Sequence, residues 1–129
     1  MAEQWHTNLS RRERQIMDIV YQRGEASVAD VLKDLPAPPS YSAVRAMLRI
    51  LEEKGFLEHD KQGPRYIYSP TVARPAAAQS ALRRVLQTFF DGSTEHAVAA
   101  LLNMSETDLS DVELARLSEL IEQARKEGQ

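Results

Sequence analysis

Apolar residues in the first half of the chain recur at intervals of three and four positions, the spacing of helices that bury one face. Three such segments follow one another, with apolar residues at positions 16, 19 and 20, then 28, 31, 32 and 35, then 44, 47, 48 and 51. Ser10 with Glu13 has the spacing of a capping box and predicts the start of the first helix. Ser27 with Asp30 repeats that spacing before the second helix. Gly24 and the segment "PAPP" predict where these two helices end.

The third predicted helix has two different faces. Its apolar stripe lies nearly opposite a second stripe, because successive residues turn about 100° around a helix axis. The second stripe consists of Ser42, Arg45, Ala46 and Arg49. One side of this helix is therefore predicted to be core and the other to be small and basic, and Gly55 predicts its end.

The chain then changes from helical spacing to alternation. The segments "FLEHD" and "RYIYS" flank "KQGP", which is the pattern of two strands joined by a tight turn. Tyr66 and Tyr68 are predicted on one face of the second strand and Ile67 on the other. Three helices followed by a hairpin is the element order of a winged helix-turn-helix, whose third helix enters a DNA groove while the hairpin wing lies along the backbone.

The rest of the chain is predicted to be wholly helical. Apolar stripes within residues 81–90, 97–102 and 114–124 predict three helices, and the spacing of Ser110 and Glu113 predicts the start of the last. Because short amphipathic helices leave an apolar face exposed, these stripes predict a dimer interface. The residues assigned to it are Leu82, Leu86, Phe89, Phe90, Leu101, Leu114, Leu117 and Ile121. We expect a mainly α protein, with a winged-helix DNA-binding domain over residues 1–74 and a three-helix dimerisation region over 75–129.

Charge is distributed unevenly along the chain. The whole chain carries 16 Lys and Arg against 19 Asp and Glu, a net charge of −3. Residues 1–75 hold eleven basic and ten acidic side chains, whereas residues 76–129 hold five and nine. The acidic balance argues against indiscriminate coating of nucleic acid, which requires a strongly basic surface, but it leaves room for a local basic surface on the first domain.

Several classes of protein are excluded by what the sequence lacks. The absence of cysteine removes disulfides and every cysteine-based metal site. His6, His59 and His96 lie far from any metal-ligand spacing and are predicted to be surface residues. Neither a Gly-x-Ser-x-Gly elbow nor a glycine-rich phosphate loop occurs, so no enzyme, metal or cofactor is predicted. With no apolar run of about 20 residues and no signal core, we expect a cytoplasmic protein without direct membrane insertion.

Arg45 is predicted to contact a base. The small side chains of Ser42 and Ala46 beside it let a helix sit deep in the major groove, where arginine donates to guanine O6 and N7. Arg49, one turn further on, suits a phosphate as well as a base. A solvated helix face remains the alternative for both arginines.

Other polar residues are candidates for contacts with the DNA backbone. Lys61 and Arg65 flank the wing turn, where they suit either phosphate contacts or ordinary solubilising charges. Arg11 and Arg12 lie near a helix N-terminus, where cations are unfavourable, so a phosphate partner would account for them. The complete predicted DNA-binding set is Ser40, Tyr41, Ser42, Ala43, Arg45, Ala46, Arg49, Lys61, Arg65, Arg11 and Arg12.

Three stretches of the chain carry a family resemblance: "LSRRERQIMDIVYQRGEASVADVLKDL", "SYSAVRAMLRILEEKGFLEHDKQGPRYIYSP" and a helical tail that contains "ALLNMS". Together they resemble the penicillinase repressor family of the BlaI, MecI and CopY types. The resemblance extends from Leu9 to about Lys126. It implies a homodimeric winged-helix repressor that binds double-stranded operator DNA at a palindromic site and leaves it on a signal.

The resemblance also implies a mechanism of release. In the beta-lactam branch of the family, a membrane sensor protease triggers cleavage after an asparagine that precedes an apolar residue, usually phenylalanine. The matching positions here are Asn103 and Met104. An asparagine is equally suited to end the short helix before "SETD". The copper-responsive branch carries a C-terminal cysteine motif that this chain lacks, so the chain is closer to the BlaI and MecI branch.

Two other functions remain open at this point. One is a winged-helix regulator that responds to a small ligand in its helical region. The other is a winged helix that acts only as a protein-interaction module.

Overall fold

The computed structural model describes residues 9–104 and 108–128. The elements are α1 (Arg11–Arg23), β1 (Ala26–Ser27), α2 (Val28–Asp34), α3 (Tyr41–Glu53), β2 (Leu57–Gln62), β3 (Arg65–Pro70), α4 (Arg74–Phe89), α5 (Thr94–Asn103) and α6 (Asp111–Glu127). Contacts group the described residues into two compact units, which divide after residue 85. The prediction of a mainly α protein with a winged-helix first unit is confirmed.

The predicted capping boxes define where the first two helices begin. At α1 the Ser10 hydroxyl accepts from the Glu13 amide at 3.1 Å, while the Ser10 amide donates to the Glu13 carboxylate at 2.8 Å. The same reciprocal pair joins Ser27 and Asp30 at α2, with distances of 3.1 and 3.0 Å. Each box satisfies two amides that the first helical turn leaves without partners. Both predicted starts are therefore confirmed.

The end of α3 is fixed by Gly55, as predicted. Gly55 has a φ of +89°, a conformation that favours glycine. Its amide donates to the Glu52 carbonyl, and the Phe56 amide donates to the Leu51 carbonyl, each at 3.0 Å. These are the two hydrogen bonds of a Schellman motif, which stops the helix and turns the chain directly into β2.

The apolar stripes of α1, α2 and α3 meet in one core. Six predicted positions are buried to an exposure of 0–7%, namely Ile16, Ile19, Val20, Val28, Val31 and Leu35. From α3, Val44, Leu48 and Leu51 are fully buried and Met47 packs against the cluster. Three helices thus direct one face each inward, which leaves the opposite face of α3 on the surface.

The hairpin is present and belongs to a three-stranded antiparallel sheet of order β1-β3-β2. Gln62 pairs with Arg65, so Gly63 and Pro64 form a two-residue loop, and Gly63 has a φ of +62°. A glycine with positive φ at the first loop position is the pattern of a type II′ hairpin turn. The third strand, β1, pairs Ala26 with Tyr68 and was not predicted. It anchors the wing to the segment between α1 and α2.

Polar contacts from α1 reach both ends of α3. Lys54, at the end of α3, lies 3.0–3.1 Å from both carboxylate oxygens of Glu13. Before α3 begins, the Arg12 guanidinium donates to the backbone carbonyls of Pro36 and Ala37 at 3.0 and 3.3 Å. Ala37 has a φ of +45°, so the connector between α2 and α3, residues 35–40, bends sharply where Arg12 contacts it. The first helix therefore positions the third one at its entry and at its exit.

The Glu13 carboxylate is a source of pH-dependent stability. Burial raises the pKa of Glu13, but the hydrogen bond from the Ser10 amide and the ion pair with Lys54 outweigh this effect, so the pKa lies below its ordinary value. Such a carboxyl stabilises the fold above its unfolded-state pKa of about 4.3, and that contribution is lost as the pH falls through the lower folded value. The N-terminal unit should therefore lose stability below about pH 4.

We expect Glu13→Gln to lower the free energy of unfolding by about 1–3 kcal/mol at pH 7, and by less below about pH 4. Urea denaturation followed by Trp and Tyr emission measures this, because the single Trp and all four Tyr precede residue 69. The control is Glu53→Gln, since Glu53 is largely exposed and its removal should cost less than about 1 kcal/mol. A loss from Glu13→Gln that is the same at pH 7 and pH 3 would contradict the linkage.

The C-terminal unit consists of the end of α4 and the helices α5 and α6. Ser93 caps α5 by accepting from the His96 amide at 3.2 Å, and Ser110 forms the predicted capping box with Glu113. Within α5 and α6, which are fully described, no side chain is buried. Helices with apolar stripes and no buried residue lack a core of their own. Across residues 9–104 and 108–128, every helix is too short or too polar to cross a bilayer.

Candidate nucleic-acid interface

The outward side of α3 forms what we call the recognition face, consisting of Tyr41, Ser42, Arg45, Ala46 and Arg49. All of these residues are exposed except Ala46, which is partly buried. The buried residues of α3 lie on its other side, so the core holds the helix while the recognition face is left to solvent. The two stripes of α3 are thus arranged as predicted.

Two clefts separate α3 from the wing. The first, of about 530 Å³, is lined by Ser27, Val28, Ala29, Tyr41, Arg45, Lys61, Gly63, Pro64, Arg65, Tyr66 and Tyr68. The second, of about 580 Å³, is lined by Tyr41, Ser42, Arg45, Ala46, Arg49, Glu52, His59, Tyr66 and Tyr68. Arg45 lines both clefts. The fold therefore brings four predicted DNA-binding cations, Arg45, Arg49, Lys61 and Arg65, from three elements to one surface.

Two of these cations, Arg49 and Lys61, make weak contacts with other described residues. Arg49 Nε lies 3.6 Å from a carboxylate oxygen of Glu53, and both side chains are about 70% exposed, so the pair contributes little. Lys61 Nζ lies 5.6 Å from the ring centroid of Tyr66, a cation–π contact on the wing. Both contacts can be exchanged for a phosphate at low cost, which suits a surface that binds a polyanion.

The remaining predicted residues lie outside both clefts. The Ser40 hydroxyl accepts from the Ala43 amide at 3.1 Å and so caps α3. Ala43 is itself partly buried, and Arg11 is exposed on α1. Arg12 donates to the connector carbonyls and to Gln15 at 3.2 Å. The contact with these carbonyls thus explains why Arg12 lies in the first turn of α1, where the sequence suggested a contact with phosphate.

Sequence reasoning missed a polar cluster where the wing meets α3. His59 Nδ1 lies 2.7 and 2.8 Å from the two carboxylate oxygens of Glu52, and its ring stacks on Tyr66 at a centroid distance of 4.3 Å. His59 was predicted to be a surface residue, and it is partly buried in this cluster with 29% of its side chain exposed. His96 is exposed, and His6 lies outside the described residues. Alternation along the two strands, which places His59 and Tyr68 opposite each other, was the available signal.

Tyr68 completes this cluster. Its ring centroid lies 5.7 Å from that of His59 and 6.4 Å from that of Tyr66. Burial raises the pKa of the Tyr68 phenol, and the Glu52 carboxylate raises it further. Tyr68, which lines both clefts, therefore stays a neutral hydroxyl.

The whole arrangement matches one protein family. The model of the family described as "Penicillinase repressor" matches residues 9–123. The chain belongs to the penicillinase repressor family. It is a winged-helix, DNA-binding transcriptional repressor and not an enzyme, so the predictions of family, fold class and absence of catalysis are confirmed.

The chain is also similar to individual proteins and solved structures. The chain is 26% identical over 118 residues to the penicillinase repressor of Bacillus licheniformis, an alignment that covers 89% of this chain and 90% of the relative. The solved DNA-binding domain of the repressor BlaI is 25% identical, with a TM-score of 0.48, and covers 54% of this chain and 87% of that one. A mutant form of MepR from a multidrug-resistant clinical isolate of S. aureus has a similar fold, with 14% identity, a TM-score of 0.53 and coverage of 98% and 84%.

Proposed function

We propose that this member of the penicillinase repressor family binds a palindromic operator as a homodimer, with residues 1–74 on each half-site and residues 75–129 joining the subunits. The observation that carries the proposal is the convergence of Arg45, Arg49, Lys61 and Arg65 around two clefts between α3 and the wing. A local basic surface on an otherwise acidic chain favours binding to a specific DNA site over binding to DNA of any sequence.

The proposed contacts follow from the shape of this surface. The recognition face enters the major groove, where the exposed Arg45 donates two hydrogen bonds to a guanine edge. Ser42 and Ala46 are short enough to let the helix backbone approach the bases. Lys61 and Arg65 precede and follow the wing turn, so they lie against the phosphates beside the groove. Base recognition thus belongs to α3 and the positioning of the protein on the duplex belongs to the wing.

The homodimer is supported by apolar side chains that the single chain leaves outside. Five predicted interface residues are 43–72% exposed, namely Leu82, Phe89, Leu101, Leu114 and Ile121. Leu86, Phe90 and Leu117 are partly buried. A monomeric protein rarely exposes so many large apolar residues on consecutive helices. A second copy of the chain would cover them, and its symmetry matches a palindrome.

Release by proteolysis is supported by the end of α5. Asn103 is the last residue of this helix, and Met104 has an extended backbone and is 48% exposed. A peptide bond at the junction of a helix with an exposed extended residue is accessible to a protease. Cleavage after Asn103 would remove α6 from the winged unit, and a membrane sensor protease of the kind known in the beta-lactam branch is the partner we propose.

Selection from a pool of random-sequence duplexes tests the function. The purified full chain should enrich a palindrome, and its affinity for the enriched duplex should fall steeply with salt, since several phosphates are neutralised. Enrichment of unrelated sequences, or of none, would contradict operator binding and would favour a protein-interaction module. Release of intact chains from the duplex by a small molecule would instead favour a ligand-responsive regulator.

Arg45→Ala should weaken binding to the selected duplex by about 1–3 kcal/mol and relax the preference at one base pair of each half-site, because a bidentate contact is lost. Binding measured on duplexes that carry each single substitution checks both effects. Arg84→Ala is the matched control, since it removes the same charge from an exposed site on α4 outside both clefts. An Arg45→Ala protein with unaltered affinity and unaltered base preference would show that Arg45 does not contact a base.

A further inference from the structure

His59 occupies an unusual position for a histidine of the wing. It lies on β2, two residues before Lys61, and its side chain is 29% exposed. The ring stacks on Tyr66, and Nδ1 lies 2.7–2.8 Å from both carboxylate oxygens of Glu52 on α3. His59, Glu52 and Arg49 line the same cleft between α3 and the wing. The ring therefore lies in the space that a DNA strand beside the recognition face would approach.

The Glu52 carboxylate determines which nitrogen of His59 carries a proton. An ionised carboxylate only accepts hydrogen bonds, so the Nδ1 atom beside it must be a donor. When the ring is neutral, a proton on Nδ1 leaves Nε2 as a lone-pair acceptor, which cannot bind a phosphate oxygen. When the ring is protonated, Nδ1 still donates to Glu52 and Nε2 becomes a second, charged donor. Only the protonated form can thus hold Glu52 and a phosphate together.

Charged and titratable groups surround His59 on both sides of the cleft. The groups from α3 are Tyr41, Arg45, Arg49 and Glu52, and those from β3 are Tyr66 and Tyr68. On β2, Lys61 lies on the same face as His59, whereas Glu58 and Asp60 lie on the opposite face. Arg45, Arg49 and Lys61 thus place positive charge near the ring, and Glu52 places a negative charge beside it. A phosphate in the cleft would add a negative charge next to the three cations.

We propose that His59 contacts the DNA backbone in its protonated form, so that each chain takes up a proton when it binds its half-site. This inference rests on the proposed function, because it requires the recognition face to contact DNA. It adds to the predicted DNA-binding set a residue whose contribution depends on pH. Glu52, which holds the ring, acts as a positioning residue.

The affinity for the selected duplex, measured at constant ionic strength at pH 6 and pH 8, tests the proposal. We expect the wild-type protein to bind about tenfold more tightly at pH 6, since a charged hydrogen bond to a phosphate is gained. His59→Gln should remove most of this difference and should bind at both pH values about as the wild type does at pH 8. His96→Gln, which changes an exposed histidine on α5, should keep the full difference.

The tautomer of His59 supplies a second measurement that needs no DNA. Nitrogen-15 NMR of the histidine side chains at pH 8 should show His59 with its proton on Nδ1, and Glu52→Ala should remove that preference. A proton on Nε2 in the wild type, or an equal pH dependence in wild type and His59→Gln, would overturn the proposal. If no duplex is bound at either pH, the proposed function itself fails, and with it the contact of His59 with DNA. The tautomer measurement then reports only on the contact between His59 and Glu52.

Discussion

Phe89→Asp should turn the repressor into a monomer and weaken operator binding by about 100-fold or more. Phe89 is 72% exposed in the single chain, so the substitution should leave the fold of each subunit intact. In the proposed dimer the same position would bury a carboxylate without a partner, which is strongly unfavourable. Two separate subunits then lose the gain in affinity that comes from linking two half-site contacts, typically a factor of about 10²–10⁴.

Sedimentation equilibrium and duplex binding measured together decide this prediction. Gln87→Asp is the matched control, because it adds the same charge to an exposed position on the opposite side of α4. It should remain dimeric and bind normally. A Phe89→Asp protein that sediments as a dimer would show that the subunit contact lies elsewhere. A monomer with normal operator affinity would show that operator binding does not depend on a dimer.

Asn103→Asp should leave operator binding unaltered and abolish induction. The two side chains have the same shape, so α5 should end at the same residue, while a protease that recognises asparagine loses its site. In induced cells, mass spectrometry should detect the fragment of residues 1–103 from the wild type only. That fragment lacks α6, and in the proposed dimer the loss of this part of the subunit contact would release it from the operator.

Two substitutions of the next residue sharpen this test. Met104→Leu keeps an apolar side chain after the cleaved bond and should still permit induction. Met104→Pro should block it, because proline fixes the backbone and removes the amide that donates to Leu101 at 3.3 Å. Induction that releases intact wild-type chains would refute the proteolytic mechanism and favour a ligand.

The parts of the fold that depend on neighbours in the sequence were predictable. Capping boxes at Ser10, Ser27 and Ser110 act over three residues, so their spacing alone located three helix starts. The hairpin was equally local, since a glycine and a proline occupy its loop. The two faces of α3 followed from helical periodicity, and this periodicity also selected Arg45. Local chemistry thus determined most of the winged unit and the centre of its recognition face.

Features that depend on distant partners were not predictable in this way. β1 has only two residues, too few for any period to appear, and it exists because β3 pairs with it. Arg12 contacts carbonyls 24 and 25 residues away, so the sequence suggested a phosphate where the structure has a backbone contact. His59 meets Glu52 across the junction of helix and wing, and no spacing rule couples a helix to the strand that follows it.

The attachment of α3 to α1 has a consequence for how such a repressor can evolve. What holds this helix is its buried side, the carbonyls before it and Lys54 after it, whereas the recognition face takes no part in the core. Substitutions on that face should therefore be nearly neutral for stability, and in the proposed complex with DNA they would alter the preferred bases. Duplicated copies of the gene can diverge towards new operators one residue at a time, without passing through unstable intermediates.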